Sequence, residues 1–152
     1  MNSDFALYLN NLFDSDEDKI RFKNIIKAML MGLKQTIFLC GKGNNGKTCL
    51  LRNIITLFDG KIANLPGYFM KMRKLPKELV GANLALFHEG DFLSDFDTSM
   101  SDNFNIMVET QMDPTKELDA EYFNRGNVHV FYFKKVFRTK FVKDEIMDYL
   151  NN

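Results

Sequence analysis

The chain has 152 residues, of which 45% are hydrophobic and 26% charged, with 20 basic and 20 acidic side chains. That length suits one domain, residues 1–152, able to bury about 68–70% of its unfolded surface without a disulfide or structural metal. There is no apolar run of the roughly 18 residues a membrane span needs, no secretory leader, and no net charge to mark a nucleic-acid binder, so a soluble intracellular protein is expected, neither secreted nor membrane-bound.

In chain order, Phe5, Leu7, Leu9, Leu12 and Phe13 predict a short helix capped by Ser3 or Asp4. The acidic run from Asp14 to Asp18 favours the start of a second helix, because carboxylates stabilise a helix N-terminus. Ile20, Phe22, Ile25, Ile26, Met29 and Leu30 continue it at helical spacing until Gly32. Residues 1–32 thus form a helical lead-in and 33–152 a nucleotide-binding core. The core opens with Thr36–Cys40, an apolar run fit for a buried parallel strand. A helix from the following loop to about Phe58, with Gly60 as its C-cap, comes next. Ile62–Phe69 reads as a loop or short strand, and a helical start is expected at Lys77 after Pro76. Asn83–His88 reads as a second buried strand, and the acidic stretch to Asp102 as surface loop. Phe104–Met112 is predicted helical, Lys116–Asn124 a loop or short helix, Val128–Phe133 a third strand, and Asp144–Leu150 a last helix. Alternating helices and apolar strands predict an α/β fold with a largely parallel central sheet and flanking helices. Ligands in such sheets bind at the carboxyl ends of the strands. Here the ends at Gly41, Glu89 and Lys134 are expected to converge.

The chemistry is concentrated between the first strand and its helix. Gly41, Gly46, Lys47 and Thr48 match the phosphate-binding pattern G-x-x-x-x-G-K-[ST]. Glycines let successive backbone N–H groups turn inward toward phosphate oxygens, and the helix adds its dipole and unpaired N–H groups. Gly41, Lys42, Gly43, Asn44, Asn45, Gly46, Lys47, Thr48 and Cys49 are therefore the candidate ATP-binding residues. Lys47 is expected to reach the β- and γ-phosphates, and the Thr48 hydroxyl to ligate Mg²⁺. Cys40 and Cys49, flanking the loop, read as small buried hydrophobes in a reducing compartment.

Hydrolysis also needs a carboxylate near the metal and the attacking water, at the end of a strand beside the phosphate-loop strand. Glu89, closing the run Leu84–His88, is the candidate for orienting water and, partly through water, for the metal; Asp91 is the reserve. His88 stands where many such sites carry a second acid. Lys71, Arg73, Lys74 and Lys77 form one basic cluster, read either as a solvated face or as contacts to DNA or RNA phosphates. Lys134, Lys135, Arg138, Lys140 and Lys143 form another, from which Arg138 or Lys135 could reach a γ-phosphate as a finger-type group.

On these residues the chain resembles the superfamily 3 helicases, in the poxvirus-type primase–helicase branch of large DNA viruses and some phages and plasmids. The loop G-K-G-N-N-G-K-T, with Asn45 before Gly46, resembles that family's Walker A motif. L-L-R-N-I-I-T-L-F-D-G and K-I-A-N-L-P are similar to the segment after it, and L-V-G-A-N-L-A-L-F-H-E is similar to its Walker B strand. M-D-P-T at Met112–Thr115 is similar to a G-D-P-I-T stretch. The resemblance implies an AAA+-like P-loop ATPase core that hydrolyses ATP with Mg²⁺. It also implies a ring of subunits, usually six, moving along single-stranded DNA or RNA beside separate primase or replication proteins. Lys47, Thr48 and Glu89 take their matched roles, and localisation follows as host cytoplasm or nucleus. The chain departs from the pattern in two places. The family's third strand usually ends in an Asn that senses the γ-phosphate, whereas Val128–Phe133 ends in Lys134–Lys135; and Gln111–Met112 replaces the glycine pair before the matched Asp.

Three activities stay open on this reading: a replicative helicase motor, an ATP-binding assembly or regulatory subunit of the same fold, and a small P-loop kinase.

Overall fold

The computed structural model describes residues 9–10, 12–13, 15–42, 47–66, 77–88, 93–133 and 143–152, with the side chains of 47–49, 66 and 145 outside that description. Five strands, β1 (Thr36–Cys40), β2 (Lys61–Pro66), β3 (Ala82–His88), β4 (Ile106–Thr110) and β5 (Val128–Tyr132), form one sheet in the order β2-β3-β4-β1-β5. All four pairings are parallel. The helices are α1 (Asp16–Leu30), α2 (Lys47–Ile54), the single turns α3 (Pro114–Glu117) and α4 (Ala120–Phe123), and α5 (Lys143–Asn151). This is the expected α/β class: a parallel sheet flanked by helices, in the manner of P-loop NTPase-like folds.

The sheet is parallel because helices cover it on both sides, so each strand is apolar on both faces. Ile37, Leu39, Leu84, Leu86, Met107 and Phe131 turn to one face, against α1, α2 and α5. Leu9, Leu12 and Phe13 are buried in that layer, and Phe13 and Phe22 stack 5.2 Å apart between centroids. Phe38, Leu65, Phe87, Ile106 and Val108 turn to the other face. That face is covered by α4, by short 3-10 turns that carry Leu79 and Leu93, and by Phe96 just after the second of them. Each fully buried Leu, Ile or Phe contributes roughly 1.5–3 kcal/mol of transfer free energy. The acidic stretch before Asp102 is therefore more than surface loop, since Leu93, Phe96 and Ser101 are buried. Ser101 Oγ lies 2.7 Å from Thr36 Oγ1 and 2.6 Å from the Tyr122 hydroxyl, tying that layer to the start of β1.

Local signals set the boundaries of α1. Ser15 caps it, its hydroxyl accepting from the Asp18 N–H at 3.1 Å, and Asp16, Glu17 and Asp18 occupy the first turn. Gly32 ends it at φ 93°: its N–H donates to Met29 and the Leu33 N–H to Ala28, the paired bonds of a Schellman stop. Gly60 differs from its expected place. Helix α2 ends at Ile54 and continues as a 3-10 turn to Leu57, so Gly60 shapes the bend into β2 rather than capping a helix.

The main correction concerns 104–112, predicted helical. Ile106–Thr110 is strand β4, hydrogen-bonded into the middle of the sheet between β1 and β3. A short run buried on both faces has no periodicity to separate strand from helix. Its neighbours decided the matter, because strands on both sides satisfy its backbone donors and acceptors. Among the described residues no helix is long and apolar enough to cross a membrane.

Candidate functional site

The carboxyl edge of the sheet gathers the candidate groups. β1 reaches it between β4 and β5, and three bonds pin the start of the loop: Gly41 N–H to the Thr110 carbonyl (3.0 Å), Phe133 N–H to the Cys40 carbonyl (2.8 Å) and Cys40 Sγ to the Met112 carbonyl (3.2 Å). Cys40 is buried, as expected of a packing cysteine. Lys42 is exposed just beyond. Residues 43–46 lie outside the described residues, and α2 begins at Lys47. The strand and helix that frame the pattern are thus both in place. Of the expected ligands themselves, Gly43, Asn44, Asn45 and Gly46 lie outside the description, as do the side chains of Lys47, Thr48 and Cys49. Glu89, Asp91 and Arg138 also lie outside it, with all of both basic clusters except Lys77 and Lys143.

The sheet order revises which strand stands where. The expectation placed a carboxylate at the end of a strand beside β1 and assigned it to the run ending at His88. That run is β3, which is not beside β1; β4 lies between them. The groups between the ends of β1 and β3 come from β4 and the residue after it: Glu109, Thr110 and Gln111. Reading 104–112 as helix concealed all three. The signal that could have found them is the β-branched content of Ile106, Val108 and Thr110.

Two side-chain networks brace this edge. Across β2, β3 and β4 runs a row on the α2 side of the sheet. His88 Nε2 lies 3.1 Å from Asn64 Oδ1, and His88 Nδ1 lies 3.5 Å from Glu109 Oε2. The second network closes over the end of β1. Thr110 Oγ1 accepts from the Met112 N–H at 3.0 Å and turns the chain back. Asp113 caps α3, accepting from the Thr115 N–H (3.1 Å), the Thr115 hydroxyl (2.8 Å) and the Tyr132 hydroxyl of β5 (2.8 Å). Burial works to raise the Asp113 pKa. The bonds from Thr115 and Tyr132, with the charge of Lys116, outweigh that and hold it below the usual 3.8.

The described residues suit a nucleotide and its Mg²⁺ in one respect and limit it in another. The strand end, the pinned Gly41 and the start of α2 form the frame a phosphate loop needs. Among the described residues no group of three or more His, Cys, Asp or Glu gathers as a metal cage. A divalent cation here would be held through phosphate oxygens, few protein groups and water, as Mg²⁺ prefers.

No protein-family model matches the chain, and no curated protein matches it. Solved structures do match it, among them two of the C-terminal region of NrS-1 in apo form. They superpose with TM-scores of 0.62 and 0.59 at 15% and 16% sequence identity, each over 95% of this chain. The chain spans about two fifths of their length, 41% and 42%. At that identity the likeness is one of fold.

Proposed function

We propose that the chain is the ATP-binding and hydrolysing motor domain of a viral-type DNA replication helicase. The observation that carries this reading is the placement of G-x-x-x-x-G-K-T between the carboxyl end of β1 and the start of α2. There the crossover after β1 runs to one side of the sheet while β5 lies on the other, the crevice where open α/β sheets bind ligands. The resemblance of the sequence to superfamily 3 helicases supports the helicase part, and the NrS-1 region shares the fold.

In this proposal backbone N–H groups of Gly41 to Thr48 hold the phosphates, Lys47 neutralises the β- and γ-oxygens, and Thr48 ligates Mg²⁺. The cation would draw charge from the phosphates as the bond to the γ-phosphoryl breaks. Glu89, immediately after His88, orients the attacking water, with Asp91 in reserve. The γ-phosphate-sensing amide belongs on the strand between β1 and β3. That strand is β4, and the exposed Gln111 after it offers a carboxamide where the resemblance expects Asn. Lys134–Lys135, which follow β5 in the sequence, need not fill that role. Arg138 is the finger candidate for a neighbouring subunit's nucleotide in a ring. The basic groups of 71–77 and 134–143 would meet the phosphates of single-stranded DNA or RNA.

One observation favours a second reading. β3 ends in His88 where an acid would assist the metal, which suits an ATP-binding assembly or regulatory subunit with slow turnover. The deciding experiment is an ATPase assay with and without single-stranded DNA, on wild type, Lys47→Ala and Glu89→Gln. DNA-stimulated hydrolysis abolished by both substitutions supports the motor. Tight ATP binding without turnover selects the regulatory subunit, and phosphate transfer to a nucleoside selects the kinase.

A further inference from the structure

We propose that a cleft at the amino edge of the sheet is a docking site for an acidic segment of a partner protein, which inserts one apolar side chain between the end of α1 and the starts of β3 and β4. The site stands on its own residues and does not depend on the nucleotide reading.

Position and size come first. The cleft has a volume of about 280 Å³. Leu30 and Gly32 at the end of α1, Lys34 before β1, Phe58 before β2, Asn83 of β3 and Asn105 before β4 line it. It therefore lies at the edge opposite Gly41, the length of β1 away, about 16 Å. The volume falls just below the roughly 300–1,000 Å³ of small-molecule sites, a fit for one inserted side chain rather than a whole ligand.

The second argument is a buried amide with a donor to spare. Asn105 is only 4% exposed. Its Oδ1 accepts from the Gln35 N–H at 2.9 Å, and its backbone carbonyl accepts from the Ala85 N–H at 2.8 Å. These bonds hold the residue between β1 and β3 and identify the other end of the carboxamide as Nδ2. Nδ2 makes no bond to any described residue and is not sealed from the surface, so the exposure it keeps is to the cleft that Asn105 lines. The bond to Gln35 accounts for an acceptor at this position, not for a donor. A fixed donor beside an apolar cleft suits an acceptor oxygen carried next to an apolar group, as in a peptide chain.

Rim and charge identify the occupant. Met31 is 79% and Leu33 58% exposed, on either side of Gly32 in the sequence, and Leu30 is 36% exposed. A small ligand in the cleft would leave that apolar rim in water, whereas a chain running across it covers the rim. Among the described residues the side chains of Lys34 and of Lys27, one turn back along α1, make no ion pair. Asp59, which also lines the cleft, is matched by Lys143 Nζ at 3.4 Å. The unmatched charge around the cleft is therefore positive, complementary to an acidic segment.

The test is an NMR titration of the isotope-labelled full chain with short synthetic peptides, each carrying one Leu, Met or Phe among Asp and Glu. The expected result is saturable shifts of the Asn105 side-chain amide and of the Gly32 and Leu33 N–H groups, with a dissociation constant below about 1 mM for at least one peptide. Ala in place of the apolar residue should weaken that binding about tenfold or more. Asn105→Asp keeps the acceptor for Gln35 and removes the donor, and should weaken it about tenfold. Lys34→Glu, at an exposed position, should weaken it about threefold and decides if Asn105→Asp fails to fold. No shift at these groups with any peptide overturns the proposal, as does unchanged binding in the folded variants. Equal binding of the Ala peptide would reduce the attraction to charge alone and overturns it too. Isocaproate, which joins a leucine-like body to a carboxylate, is the small-molecule arm: binding as tight as the best peptide would make this a site for small organic acids instead. Concentration-dependent shifts of the same groups in the chain alone would make the occupant a second copy and overturn the choice of partner.

Discussion

Tyr132 donates its phenolic hydrogen to Asp113 at 2.8 Å, joining β5 to the loop after β4 across the end of β1. The bond joins the two strands that flank β1 at its carboxyl end. Its partners are 19 residues apart in sequence, with α3 and α4 between them.

The Asp113–Tyr132 pair should show coupling in a double-mutant cycle of Asp113→Asn and Tyr132→Phe. A neutral-to-charged bond at this exposed site is expected to contribute about 1 kcal/mol, read by urea unfolding at pH 7. The sign with pH follows from the lowered Asp113 pKa. Its contribution is complete above the ordinary carboxylate value and is lost as pH falls through the lower, folded value. Asp113→Asn should therefore differ from wild type at pH 7 and converge with it in strong acid. A difference that persists unchanged below both values would exclude the ionised carboxylate as its source.

His129 gives a slope of the same sign, in milder acid. Burial first, and the charge of Arg21 second, push its pKa from 6.5 down to about 4. Between those values the unfolded chain binds a proton that the folded chain does not, so stability falls as pH drops through that window. The ring is half-buried, which limits the loss to about 1–2 kcal/mol after allowance for solvent screening. His129→Gln should flatten the change in urea midpoint between pH 6.5 and pH 4. An undiminished slope would place its origin in other groups.

Phe38 is fully buried, 5.8 Å from Phe96 and 6.3 Å from Tyr122 between ring centroids. Phe38→Ala should cost about 3–5 kcal/mol by leaving a cavity under β1. Thermal and urea unfolding would measure it. A loss below about 1 kcal/mol would mean that the turns on this face collapse into the space.

Gln111 tests the placing of the γ-phosphate amide on β4. Gln111→Ala should slow ATP hydrolysis by about tenfold to a hundredfold, since the lost donor acts where charge develops. ADP binding should stay within about twofold, because ADP carries no γ-phosphate. Equal losses for ATP and ADP would instead make Gln111 a general support of the loop.

The sequence by itself determined the class of fold and the position of the glycine pattern after the first strand. The apolar runs at Thr36–Cys40, Asn83–His88 and Val128–Phe133, the acidic run and Gly32 at the ends of α1, and the glycine pattern after Cys40 are all local signals. Each follows from backbone sterics and hydrogen bonding within a few residues. What only the tertiary structure decided is which strands are neighbours. Strand order depends on contacts between segments tens of residues apart, and the side-chain pattern of a strand buried on both faces does not encode it. Ile106–Thr110 was the casualty: its backbone is satisfied as a strand only because β1 and β3 lie on either side of it. With that strand in the middle of the sheet, His88 stands one strand removed from β1, and Glu109 lies on the strand beside it.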